Sequence, residues 1–269
     1  MKYSRKPELP TWNRLFWSFQ KAGTMSLRRT LATAARVLKL LKHDHRTIGL
    51  ILFVPSVLIT ILYYAFEDSS LIFDGIAPIL LGILPFTLMF IITSVAVLRE
   101  RTSGALERLL TLPISRLDIL LGYGIAFALL ALLQAAIASY VIIGLLGVEV
   151  AGSIASLLIV AVMAGVLGMS LGLFFSSFAR NEFQAVQFMP AFVLPQFLTC
   201  GLFVPREQMA LLLQYFSDVM PITYVVKAMK EVQVNPSWSH ELSLDLLIIA
   251  GFVIISLLLG ALSLRRKAA

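Results

Sequence analysis

The chain is 269 residues long, 59% hydrophobic and only 14% charged, with a formal net charge of +7 and a mean hydropathy of +0.89. That much apolar surface exceeds what one water-soluble core of this length hides, which excludes an ordinary soluble domain and points to a single membrane domain. The lone cysteine, Cys200, excludes an intramolecular disulfide, and no ligand-type residues cluster around it to support a structural metal site.

Residues 1–47 form a polar, basic arm. It has no short apolar run followed by a small-residue cleavage site, so no removable signal peptide is expected. Trp12 and Trp17 are expected to anchor at a membrane interface. In residues 27–42, LRRTLATAARVLKLLK, the residues Leu27, Leu31, Ala34, Leu38 and Leu41 recur at steps of four and three, while Arg28, Arg29, Arg36, Lys39 and Lys42 take the other faces. This pattern predicts an amphipathic connector helix that lies in the interface, its stripe buried and its cations near anionic headgroups.

A hydrocarbon core about 30 Å thick takes about 20 helical residues to cross. Residues 48–269 hold six segments of that kind: 48–66, 76–98, 119–146, 154–175, 185–204 and 242–264. Six spans free of internal Asp, Glu, Lys, Arg and His are therefore expected. Pro55, Pro78, Pro85, Pro190 and Pro195 are placed to kink the first, second and fifth of them. Of the 22 Lys and Arg residues, only Arg206, Lys227 and Lys230 fall on the side opposite the N-terminus, which by the positive-inside rule puts both termini in the cytoplasm. Residues 205–241 carry short apolar runs broken by Asp218 and Pro221. They are expected to form short helices on the outer face, or a protein-covered re-entrant hairpin, rather than a seventh span.

Between spans two and three lies LRERTSGALERLLTLPIS, a charged strip in an otherwise greasy region. Placed on one helix over residues 100–112, Glu100, Arg101, Ser103, Gly104, Glu107, Arg108 and Thr111 share an arc about 160° wide, and the leucines fill the rest. Glu100 and Glu107 then form an acidic ridge with Gly104 as a bare notch, and Arg101 and Arg108 form a basic ridge beside it. Pro113 ends the helix and Ser115 leads into span three. A solvated amphipathic connector gives the same pattern, but glycine costs about 1 kcal/mol relative to alanine inside a helix. A surface that must be approached closely would justify it, so the strip is expected to be a docking key.

With spans expected to hold only neutral polar groups such as Gln134, Tyr140, Gln187 and Gln196, ion coupling within the bilayer has little to work with. No G-x-x-x-x-G-K-[ST] phosphate cradle occurs either. Energy for uphill movement is expected to arrive from a separate subunit, at the charged strip.

The six-span plan, RERTSGALERLLTLP (99–113), SSFARNEFQAVQFMPAF (176–192), GLFVPREQM (201–209) and the following MPITYVV together resemble the ABC type-2 permeases. They are most similar to the membrane subunits of bacterial daunorubicin-resistance-type drug exporters and nodulation-factor exporters. The resemblance implies an all-α polytopic membrane protein with six transmembrane helices, an interfacial N-terminal helix and short re-entrant outer helices between spans five and six. It implies a permease in the bacterial plasma membrane that dimerises, binds two copies of a cytoplasmic ATPase and exports an amphipathic drug, lipid or glycolipid. ATP and magnesium would be bound by that partner; this chain would hold no cofactor or metal, bind no nucleic acid and have no catalytic site. On this likeness Glu100, Arg101, Gly104, Glu107 and Arg108 are docking residues of a coupling helix ended by Pro113. Alanine stands at position 105 where the family often has threonine. Spans one and five would build the dimer interface and line the route, with Phe188, Pro190, Phe192, Pro195 and Gln196 as lining residues.

Two rival readings remain. Gly168-Met169-Ser170-Leu171-Gly172 fits the G-x-S-x-G pattern of serine nucleophiles, yet a serine needs a base in reach, and His43, His45 and His240 all lie outside the expected spans. Small residues that let helices approach closely explain the same motif. A membrane scaffold without transport activity is the other.

Overall fold

The computed structural model describes residues 26–111 and 114–263. Trp12, Trp17, Pro113 and the basic tail Arg265, Arg266 and Lys267 lie outside the described residues. Those that are described fold into helices without strands: α1 (Leu27–His43), α2 (His45–Ala65), α3 (Ser70–Thr102), α4 (Ala105–Thr111), α5 (Arg116–Ser139), α6 (Ile154–Ser176), α7 (Glu182–Thr199), α8 (Leu211–Val219), α9 (Pro221–Val234) and α10 (His240–Ser263). Single π-helical turns prolong α5 over Tyr140–Leu145.

Among the described residues five helices are long and apolar enough to cross a membrane: His45–Ala65, Ile72–Thr102, Leu117–Leu145, Ile154–Ser176 and His240–Ser263. The expected fifth span, α7, is not among them. It has 18 residues, and Glu182, Gln184, Gln187 and Gln196 dilute its apolar content. One sequence expectation is corrected outright: Asp245 lies in the second turn of α10, inside the bounds expected for span six, so the spans are not free of ionisable groups. Pro55, Pro78, Pro85, Pro190 and Pro195 sit inside α2, α3 and α7 without ending them.

The centre of the bundle is the pair α3 and α6, brought together by small residues. A Cβ added to Gly168 would lie 2.0 Å from the Phe86 carbonyl oxygen, and one on Gly172 would lie 2.4 Å from that of Phe90. Gly165 sits equally close to the Ala131 side chain of α5. Glycine here lets backbones touch where any side chain would hold them apart, the device that favours helix association when lipid is the solvent. Phe90, Phe175 and Phe192 fill the space beside this seam, with the Phe175 and Phe192 rings 4.7 Å apart. α2 and α10 stay peripheral, exposing Leu50, Phe53, Val57 and Ile61 on one and Leu247, Ile254, Ile255 and Leu258 on the other; such faces suit hydrocarbon, not water.

The helices alternate in direction, so the bundle has two ends. At the end where α1 lies, α5 starts with a capping box: Ser115 receives the Leu117 amide and Asp118 receives the Ser115 amide, satisfying donors that a helix start leaves free. Asn181 caps α7 in the same way, accepting from the Gln184 amide at 2.8 Å. At the opposite end α9 closes the bundle. It buries Ile222, Val225, Val226, Met229 and Val232; the Gly152 amide donates to the Val232 carbonyl, and Gln233 donates to the Asp74 carbonyl at the start of α3. α8 beside it leaves Leu212, Tyr215 and Val219 largely exposed.

α1 is helical where predicted, but its buried side is turned from the expected stripe. Thr30, Thr33, Ala34 and Val37 pack down on α5, while Leu27 and Leu31 remain 72% and 49% exposed. The reason is local: Gly122 of α5 leaves room for Thr33, whose Cβ would lie 2.6 Å from a side chain at that position.

Candidate functional site

The end of the bundle that carries α1 gathers most of the charged side chains that pair. α3 runs unbroken through Glu100 and Arg101 to Thr102, and the chain then turns at Ser103 and Gly104. Gly104 has φ +72, the left-handed conformation that ends helices and that residues with a Cβ adopt at a cost. The Ser103 amide returns to the Arg99 carbonyl, and α4 restarts when the Arg108 amide takes the Gly104 carbonyl. The single helix expected over residues 100–112 is therefore broken into two helices at Ser103 and Gly104. A Cβ on Gly104 would meet nothing within 4 Å, so the turn itself accounts for the glycine.

Glu100 and Arg101 face into the protein. The Glu100 carboxylate receives both terminal nitrogens of Arg36 from α1, at 3.0 and 3.2 Å, and the hydroxyl of Tyr123 from α5. With side-chain exposures of 13% for Glu100 and 31% for Arg36, this is a largely buried, two-pronged ion pair, the geometry in which arginine binds carboxylate most firmly. Arg101 donates to the carbonyls of Ser177 and Ala179, which closes the C-terminal end of α6 with a cation where the helix dipole favours one. Next to it, Arg99 and Glu182 join α3 to the start of α7 at 2.7 and 2.9 Å. The hydrogen bond and charge of Arg99 hold the Glu182 carboxyl below its ordinary range, against a smaller upward push from burial.

Asp118 supplies the other tie to α1. Fully buried, it accepts the Ser26 amide at 3.0 Å and the Thr30 hydroxyl at 3.1 Å in addition to its cap bond. One side of α1 thus reaches the first turn of α5 and the last turn of α3 together. α4 hangs from that assembly. Leu106 is 5% exposed and Leu109 packs on the cluster around Tyr123 and Phe127, while Arg108 and Thr111 face outward. The side chain of Glu107 lies outside the described residues.

The residues expected to line a route divide into three environments. Phe188 and Phe192 pack on Phe175 within the aromatic group. Pro190 and Pro195 are exposed. Gln196 is buried, donates to the Phe192 carbonyl and accepts the Ile222 amide at 3.4 Å, so it joins α7 to the start of α9. The face of α7 left open carries Phe183, Gln187, Pro190, Leu194 and Leu198. Sequence reasoning also missed Arg36, Tyr123, Asp118 and Glu182. Ser115 three residues before Asp118 is a readable capping signal; nothing in the sequence marks Arg36 as the partner of Glu100. Asp245, 9% exposed, lies at the α9 end in the field of Lys227, Glu231 and Glu241, and Lys227 sits 5.2 Å above the Tyr224 ring. Ser170 is fully buried and donates to the Leu167 carbonyl one turn back. His43 and His45 lie at one end of the bundle and His240 at the other, which gives that hydroxyl no base.

Residues 28–234 match the family described as ABC-2 type transporter. The chain belongs to that family. Family membership agrees with the all-helical, multi-pass membrane architecture, and ABC transporters stand among its relatives by name. "ABC transporter G family member 20" of Dictyostelium discoideum is 26% identical over 215 residues, 79% of this chain and 29% of that protein. "Probable multidrug ABC transporter permease YbhR" of Escherichia coli is 29% identical over 157 residues, 58% of this chain and 43% of the relative. "Inner membrane transport permease YhhJ" of Escherichia coli is 28% identical over 155 residues, 57% of this chain and 41% of the relative. The chain spans less than half the length of each of these curated relatives.

Proposed function

We propose that this chain is the permease subunit of an ATP-binding-cassette exporter in the bacterial plasma membrane, driven by a separate ATPase. In this reading α7 is the fifth of six spans, α8 and α9 form a re-entrant outer cap, and the end of the bundle bearing α1 and α4 faces the cytoplasm. Two permease copies and two ATPase subunits make the working unit. ATP and magnesium belong to the ATPase, and the cargo is an amphipathic drug, lipid or glycolipid moved out of the cytoplasm or inner leaflet. Relatives whose names include multidrug permeases support the class of cargo, and the excess of Lys and Arg on the α1 side supports the orientation.

The observation that carries the proposal is α4 itself. It is a short helix with an apolar side against the bundle and Arg108 outward, set off by a left-handed glycine from the end of α3, whose Glu100 is clasped to α1 and α5. A push on α4 reaches the end of α3 directly and α1 and α5 through one ion pair. Glu107 and Arg108 are the docking residues of this reading. Gly104 is its hinge, Pro113 its C-terminal stop, and Glu100 and Arg101 transmit rather than touch the partner.

The test is charge reversal on α4. Glu107→Arg and Arg108→Glu are expected to leave the protein inserted in the membrane while abolishing co-purification with the ATPase and export together. Retention of both in the two variants would remove the docking role from α4.

A further inference from the structure

We propose that α1 is a receptor for anionic phospholipid headgroups, and that lipid bound there holds the Arg36–Glu100 clasp shut. The inference rests on the membrane placement of α1 but not on the ATPase.

Around its axis α1 has, beside the strip of Arg29, Arg36 and the exposed Leu40, three further sectors. One, about 100° wide, holds Thr30, Thr33, Ala34 and Val37 and is buried on α5. The next holds Leu27, Leu31 and Leu38, of which Leu27 and Leu31 stay exposed. The third holds Arg28, Ala32, Ala35, Lys39, Lys42 and His43, all exposed. Arg28 and Lys39 lie almost in line, about 16 Å apart along the axis at 1.5 Å per residue. The two alanines between them leave a bare strip that a headgroup can enter. Among the described residues none of Arg28, Lys39 and Lys42 makes an ion pair, and the helix contains no acidic residue.

Two features identify the occupant as lipid. α1 runs into α2 across the single residue Asp44, and α2 exposes Leu50, Phe53 and Val57 at once, so the leucine sector of α1 directly precedes a helix already made for hydrocarbon. Beside that sector lies a row of uncompensated cations, the order of faces taken by a helix lying at the headgroup level. An acidic protein partner would satisfy the cations but leave Leu27 and Leu31 in water. Because the buried sector carries the contacts to Asp118 and the same helix brings Arg36 to Glu100, whatever pins the outer sectors also seats the clasp.

The experiment uses the full chain in nanodiscs of phosphatidylcholine, alone or with about a third of the lipid as phosphatidylglycerol. Backbone hydrogen exchange is followed in α1 and in the last turn of α3. Phosphatidylglycerol is expected to slow exchange in both segments at least tenfold. The triple variant Arg28→Gln, Lys39→Gln, Lys42→Gln is expected to insert normally and to lose the difference. Each cation near an anionic surface contributes enough that three together amount to roughly a hundredfold in lipid affinity. Equal rates in the two lipids, or slowing that persists in the triple variant, overturns the proposal. So does equal slowing by soluble glycerol phosphate or by polyglutamate, which would assign the site to a free anion or to an acidic polypeptide. A chain that fails to insert into either nanodisc sinks the membrane placement as well, whereas insertion without a lipid-charge effect sinks this inference alone.

Discussion

Replacing Glu100 with Gln removes the charge that Arg36 was buried to meet. The Arg36 Nε has no hydrogen-bond partner among the described residues, so the guanidinium depends on the two bonds that Glu100 accepts. Breaking one side of a fully buried pair costs about 3–5 kcal/mol, and an exposed pair contributes about 0.2–1 kcal/mol. With 31% of the Arg36 side chain and 13% of Glu100 in solvent, the expected loss lies between, at about 2 kcal/mol. Glutamine can still accept from Tyr123, which keeps the hydroxyl of that buried ring partnered. The assay is a double-mutant cycle of Glu100→Gln and Arg36→Met, read from unfolding midpoints in mixed micelles and from hydrogen exchange in α1. Each single variant is expected to lose about 2 kcal/mol, and the double variant no more than about 3 kcal/mol, for a coupling of at least about 1 kcal/mol. Additivity to within about 0.5 kcal/mol would show that the pair transmits nothing, and the reasoning that joins α4 to α1 would fall with it.

Gly168→Leu is expected to be the most damaging single change in the bundle, because even the first carbon of a side chain meets the Phe86 carbonyl. A loss of more than about 3 kcal/mol, seen as a lowered midpoint or absent folded protein, checks it, and a neutral result would refute the close contact of α3 and α6. Gly104→Ala should cost only about 1 kcal/mol, since its penalty is the left-handed backbone and no neighbour is struck. A thermal melt measures it, and a stabilising effect would mean α3 and α4 can merge into one helix. The contact between Arg99 and Glu182 should respond to acid. Glu182 titrates below its ordinary value, so the contribution is whole above the usual glutamate pKa near ~4.3 and disappears as pH falls through the lowered one. Spin labels on the ends of α3 and α7 should separate or broaden in that window, and an unchanged distance distribution down to about pH 2.5 would count against the tie.

Much of the fold was legible because lipid as solvent leaves a simple signature. Long apolar runs became α2, α3, α5, α6 and α10, and the basic repeat of residues 27–42 became α1. α7 was read as a fifth span, but its 18 residues, diluted by Glu182 and three glutamines, leave it less apolar than the other five. Asp245 escaped notice because a single carboxylate at the α9 end barely alters the hydropathy of the run around it. At the candidate site the geometry expected of Glu100 and Arg101 was wrong. A helical wheel assumes one axis, and Gly104 breaks that axis, so Glu100 and Arg101 turned inward to partners 64 and 76 residues away in sequence. No local pattern encodes such pairings. The capping pair Ser115 and Asp118 shows the contrast: its spacing was visible, whereas the Ser26 and Thr30 contacts that make Asp118 a three-way junction were not.

The glycine seam limits how this bundle can change shape. Where Gly168 and Gly172 rest directly on the carbonyl oxygens of Phe86 and Phe90, no compliant side chain separates the two helices, so sliding or rolling meets a steric collision there. α3 and α6 then behave as a stator, and any rearrangement of the bundle falls to the staves around it, α2, α7 and α10, whose contacts with the centre are made by deformable side chains.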